Sequence, residues 1–147
     1  MTTLHVANVA AAIAALDIDG VTIYDLDQMP QAVDERACPV LGPSSHEPAY
    51  LTDWTAKRLT TQGNYEMSYV LNYKLYQAKI GKDRGLFAQY PAMVDNAAAV
   101  INAFLALTRV EGCKQLAVAS LPQFGNIVDA SGQQFHGCQI AIRVTEF

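Results

Sequence analysis

The sequence predicts an α+β fold: a small antiparallel or mixed β-sheet of about four to six strands with two main helices packed on it. Three observations predict it. Residues 65 to 76 alternate with a period of two, Tyr65, Met67, Tyr69, Leu71, Tyr73 and Leu75 against Glu66, Ser68, Val70, Asn72, Lys74 and Tyr76, which is a long strand with one wetter face. Two other segments place their apolar residues at helical spacing, and two short alternating segments follow the second of these. The chain has 147 residues and is 51% hydrophobic, enough for one domain with a sizeable core and too short for two ordinary ones.

Taken in order, Val6, Val9, Ala10, Ile13 and Leu16 define an amphipathic first helix over residues 3 to 16. Asp17 to Gly20 ends it, and residues 21 to 26, Val-Thr-Ile-Tyr-Asp-Leu, read as a strand. Four of the six prolines (Pro30, Pro39, Pro43, Pro48) fall between residues 27 and 50, which reads as a long, partly extended loop with room for one short strand near 38 to 41. Met29, Val33, Val40 and Leu41 give that loop apolar anchors.

Residues 54 to 61 form a second strand that leads through Gln62-Gly63-Asn64 into the tyrosine-rich strand as a hairpin. Because Val70 and Tyr76 interrupt the polar face of that strand, another surface is expected to cover part of it. Gly81 to Gly85 breaks the chain. Met93, Ala97, Val100, Phe104 and Leu107 then specify a helix from Pro91 to Thr108. A short strand at 116 to 120, a turn at Asp129-Ala130-Ser131-Gly132 and a last strand at 138 to 145 complete the chain.

Charge is unevenly spread. Residues 1 to 53 carry eight acids against Arg36 alone, a net of -7, whereas the remainder carries nine bases against six acids. Lys57-Arg58 and the group Lys79, Lys82, Arg84 are the nearest approach to basic clusters, so sequence-specific nucleic-acid binding is not expected. Opposite charges on separate segments suit contacts between copies, with Asp25, Asp27 and Asp34 of one chain meeting Lys79, Lys82 and Arg84 of the next. No membrane span and no secretion signal are apparent, which predicts a soluble protein made in the cytoplasm. Cys38, Cys113 and Cys138 are odd in number and far apart, and are expected to be reduced and buried.

Asp17-Ile18-Asp19-Gly20 resembles the Asp-x-Asp-Gly signature of haloacid dehalogenase-like phosphatases, where the first Asp attacks phosphorus, the second handles a proton and a metal neutralises charge. That family needs a strand before the signature and a Lys after a later Ser or Thr. Here the preceding segment reads as helix, and no Lys follows Ser120. The competing reading is a helix-to-strand turn, where Asp and Gly are favoured. His5, His46 and His136 lack the spacing of metal-ligand pairs, and Ser44-Ser45-His46 has no nucleophile elbow around it.

The order of parts carries a broader resemblance. It comprises a short N-terminal helix, Val21-Thr22-Ile23-Tyr24, the loop from Met29-Pro30-Gln31 to Cys38-Pro39-Val40-Leu41-Gly42-Pro43, the long strand, the helix Met93 to Leu107, and the closing Gly125-Asn126-Ile127-Val128, Gln134-Phe135-His136-Gly137 and final strand. This layout resembles the tail terminator family of long-tailed bacteriophages, the minor tail protein U type, and related neck proteins. The resemblance implies a structural virion protein, not an enzyme, without cofactor or metal. It implies a ring, usually hexameric, that caps the tail tube, stops its growth and joins it to the head connector after assembly in the host cytoplasm. A head-closure or connector role in the neck is the related alternative. The loop at 27 to 50 and the segment 77 to 86 are the expected contact surfaces.

Overall fold

The computed structural model describes residues 5–45, 47–58, 65–81, 85–107, 110 and 113–146. Helix α1 (Val6–Ala14) leads to the two-residue strand β1 (Thr22–Ile23), a 3-10 turn (Glu35–Ala37) and β2 (Val40–Pro43). Then come β3 (Leu51–Arg58), β4 (Tyr65–Lys79), α2 (Leu86–Ala106), β5 (Cys113–Val128) and β6 (Gln134–Glu146). The strands form one mixed sheet in the order β1-β2-β4-β6-β5, with β3 also pairing with β4 beyond the end of β2. Every pairing is antiparallel except β1 with β2. Counting the isolated bridge at Gly81, seven segments carry β pairing, more than the four to six strands expected. The excess lies where glycine led the sequence to be read as a break.

Strand β4 is the spine. Its alternation sends Tyr69, Leu71, Tyr73 and Leu75 to one face, where Cys138, Ile140, Ile142 and Val144 of β6 join them. Both helices cover this face, α1 through Val9 and Ile13, α2 through Ala97, Val100 and Phe104. The Tyr50 and Tyr73 hydroxyls are 2.8 Å apart beneath them, which leaves no buried phenol unpaired there. The opposite face holds a second cluster of Val33, Val40, Tyr76, Ile127 and Phe135, capped by Tyr24, Met29, Ala37 and Cys38. The expected cover over Tyr76 is therefore the Pro-rich loop itself.

Most boundaries move by a few residues, β3 to Leu51–Arg58 and the start of β6 to Gln134 among them, and three of the changes have a clear physical cause. Helix α2 begins at Leu86, so Pro91 lies inside it; proline removes one N–H to carbonyl bond of the helix, a loss borne near its exposed start. Strand β5 runs unbroken through Pro122 and Gly125, and its pairing with β6 shifts at three places between Cys113 and Gln123. Because β5 is an edge strand, its outer side needs no ladder bonds, and bulges absorb the residues that would break a central strand. The strand expected at 21 to 26 shrinks to two residues because β2 offers it only Val40 and Leu41.

Candidate assembly surfaces

Asp129 fixes the loop that the sequence marks as a contact surface. It sits in the turn between β5 and β6 and is 1% exposed. Its Oδ1 accepts from the N–H of Ser131 and Gln133 and from the Ser131 hydroxyl, at 3.0, 2.9 and 2.7 Å. Its Oδ2 accepts from the Val33 N–H at 2.9 Å, across 96 residues of sequence. Ser131 N–H also donates to the Gln31 carbonyl at 3.0 Å. Burial pushes the Asp129 carboxyl up, but these donors outweigh it and hold the group below its ordinary range. Lys74, whose side chain is buried on the same face, donates from Nζ to the Val128 carbonyl at 3.0 Å. Burial lowers its pKa, and the neighbouring Asp129 charge works against that shift.

This anchoring turns a Pro-rich loop into an ordered acidic surface. Asp25 accepts from the Leu26 N–H at 2.7 Å and Asp34 from the Arg36 N–H at 3.0 Å, so local turns hold both carboxylates. Asp27, Asp34 and Glu35 are exposed, and Asp25 is half-buried. Lys79, the last residue of β4, pairs in register with Phe135, a member of the cluster beneath this loop. Asp34, next to Val33 of that cluster, thus lies at the Lys79 end of the sheet, whereas Asp25 lies beside Tyr50 and Tyr73, nearer the middle of β4. Lys82 and Arg84 lie outside the described residues.

At the other end, Glu146 is fully buried and binds His5 twice, through the backbone N–H at 3.0 Å and Nδ1 at 2.6 Å; the Tyr69 hydroxyl also donates to it. This cluster ties the start of α1 to β6. Burial and the Glu146 carboxylate together push the Tyr69 phenol well above its usual range. Nearby, Arg143 joins Asp53 at 2.5 Å and Ser68 at 2.9 Å, both on the hairpin of β3 and β4.

The remaining sequence-marked residues are scattered. Asp17 and Asp19 are exposed in the turn after α1, closed by a bond from the Val21 N–H to the Ile18 carbonyl at 3.1 Å, and the element before them is a helix. Ser44 donates to the Pro48 carbonyl, and His46 lies outside the described residues. The cysteines form no disulfide; Cys138 is buried and its thiol pushed by burial up to about 12, whereas Cys38 and Cys113 are only partly buried, short of the full burial expected. Among the described residues, no group of three or more His, Cys, Asp or Glu side chains could hold a metal, and no helix is long and apolar enough to cross a membrane.

One surface escaped the reading of the sequence. Helix α2 carries a single charged residue, Asp95, in its 21 residues, although only one stripe of it faces the sheet. Its outer face leaves Phe87 87%, Tyr90 41%, Val94 40% and Leu105 60% exposed. The signal was present in the sequence as a charge-free outer stripe beside the core stripe, but the core stripe alone was enough to define the helix.

Compared with known proteins, the chain matches no family model, and no curated protein is significantly similar to it.

Proposed function

We propose that this chain is a structural protein of a phage tail, a ring-forming terminator, most simply a hexamer, that caps the tail tube, stops its polymerisation and meets the head connector. The observation that carries the reading is the docked acidic loop. A contact surface in a ring works best when its charges are already in place, because ordering a loose loop on binding costs affinity. Here Asp129 and the apolar cluster under Val33 meet that cost during folding.

The subunit contact in this proposal sets Asp25, Asp27 and Asp34 of one copy against Lys79, Lys82 and Arg84 of the next. Asp34 and Lys79 lie at the same end of the sheet, which suits a contact made by rotation about an axis parallel to the strands. Each such contact can be weak, since simultaneous engagement of a symmetric tube multiplies affinity through effective concentration.

The test is electron microscopy of lysates from the phage or prophage carrying this gene, with a stop codon placed early in it. Overlong or irregular tails beside unattached heads are expected. Normal-length tails beside separate heads would move the protein to the head side, as a closure or connector protein. Intact virions would overturn the reading and leave magnesium-dependent phosphatase activity, abolished by Asp17→Asn, as the alternative to measure.

A further inference from the structure

The outer face of α2 has the pattern of a helix that expects another helix. Phe87, Val94 and Ile101 follow one another at intervals of seven, and Pro91, Ala98 and Leu105 form a second such series, so the six residues make a seam of alternating three- and four-residue steps. The seam is distinct from the stripe of Met93, Ala97, Val100 and Phe104 that is buried against the sheet. A surface helix in a lone domain normally presents charged residues outward; a helix apolar on nearly all sides is buried on nearly all sides.

We infer that α2 pairs with α2 of a second copy, antiparallel about a two-fold axis at the level of residue 96, on the side of the helix away from the bond between Asn96 and Gln77. The seam's self-complementary spacing and its length select this occupant. The seam has no charge to offer a charged partner, and in the antiparallel arrangement it complements itself: Phe87 meets Leu105 of the partner, Pro91 meets Ile101, and Val94 meets Ala98. Each pair sets a larger side chain against a smaller or tapered one, and Ala98 near the axis lets the backbones approach. The seam is about 27 Å long at 1.5 Å per residue. With Tyr90 and the alanines flanking it, such a contact buries on the order of 1,000 Å2 in total, the lower bound of a specific interface, so the pair is a reversible dimer. The arrangement also has a defect that identifies it. Asp95 of both copies comes close beside the axis, and like charges there oppose association.

The pair does not rest on the terminator reading. A two-fold pair presents two equal faces, whereas a tail cap has unlike ones, so the pair is the form of the free chain.

Sedimentation of the full chain from about 1 to 300 µM should show a monomer–dimer equilibrium. Val94→Asp, at an exposed position, should raise the dissociation constant at least about tenfold with circular dichroism and thermal unfolding unchanged, and Asp95→Asn should lower it. Phe87→Ala and Leu105→Ala, distant within one chain, should couple in a double-mutant cycle because they touch across the axis. A wild-type chain that stays monomeric throughout would overturn the inference and assign the face to a different partner. Dimerisation indifferent to Val94→Asp, or additive Phe87 and Leu105 effects, would equally overturn it. None of these results would bear on tail length in the stop-codon phage, so the two proposals fail separately.

Discussion

Asp129 shows how much a single carboxylate can organise when it is buried with four donors around it. Replacing it with Ala would leave the Val33 N–H buried without a partner and open the turn at 130 to 133. The expected loss is about 2–3 kcal/mol, with the Pro-rich loop released before the sheet unfolds. Urea unfolding of Asp129→Ala, followed together with proteolysis near Val33, checks both parts. The same group gives a pH dependence of known sign. Its folded pKa lies below the unfolded value near 4, so its contribution is complete above that value and is lost as pH falls through the depressed folded pKa. Wild type should therefore lose stability in acid by a component that Asp129→Ala lacks, measured as the difference between their unfolding free energies at pH 7 and in the most acidic buffer where both fold. At the opposite end of the sheet, Glu146→Ala should cost about 1–3 kcal/mol, because the buried Tyr69 hydroxyl would lose its acceptor while the partly exposed His5 could turn to water. Chemical denaturation of that variant measures it.

Among the elements, β4 and β6 decide the register of the whole sheet. Twelve residue pairs join them, with one shift between Tyr76 and Ala78. Gly137, opposite Tyr76, explains why the chain needs a residue without a side chain there. A Cβ at that position would lie 2.1 Å from the Leu75 carbonyl oxygen and 2.5 Å from Ile127 Cδ1. The first contact is backbone and has no room to yield, so Gly137→Ala should destabilise by about 3 kcal/mol or more. Gly81→Ala, facing open space and outside any helix cap, is the control and should leave the unfolding midpoint almost unchanged. The helices depend on the sheet in a different way. Phe104 lies 6.0 Å from the Tyr73 ring, centre to centre, and Phe104→Ala should cost about 3–4 kcal/mol through the cavity it leaves. Calorimetry of that variant should show a lower melting temperature with α2 still helical below it.

For the whole molecule, the distribution of charge matters more than its total. The net charge of -4 hides an acidic loop docked on the sheet and a helix on the main face with almost no charge. These surfaces call for different partners, one electrostatic and one apolar. Reversing charge with Asp25→Lys and Asp27→Lys should leave unfolding free energy within about 0.5 kcal/mol of wild type, since neither residue is buried in the core. In the terminator reading it should prevent ring formation, scored by complementation of the stop-codon phage and by micrographs of the purified protein. Normal complementation by the reversed chain would remove the acidic loop from the contact.

The fold class, the two helices, the hairpin into β4, the turn at 129 to 132 and the core face of the long strand were all legible in the order of residues. These features are local: a period of two or of 3.6, a proline, or an Asp-Ala-Ser-Gly turn acts within a few residues and leaves its mark there. Where the Pro-rich loop goes depended on folding, because the bond from Val33 to Asp129 spans 96 residues and has no periodic trace. The same holds for Glu146, whose partners His5 and Tyr69 come from α1 and β4. Strand β5 outgrew its prediction because its position at an edge, not its composition, made Pro122 and Gly125 acceptable. The outer face of α2 lay between these cases. Its missing charges were written in the sequence, but they became a surface only when the sheet took the other face of the helix.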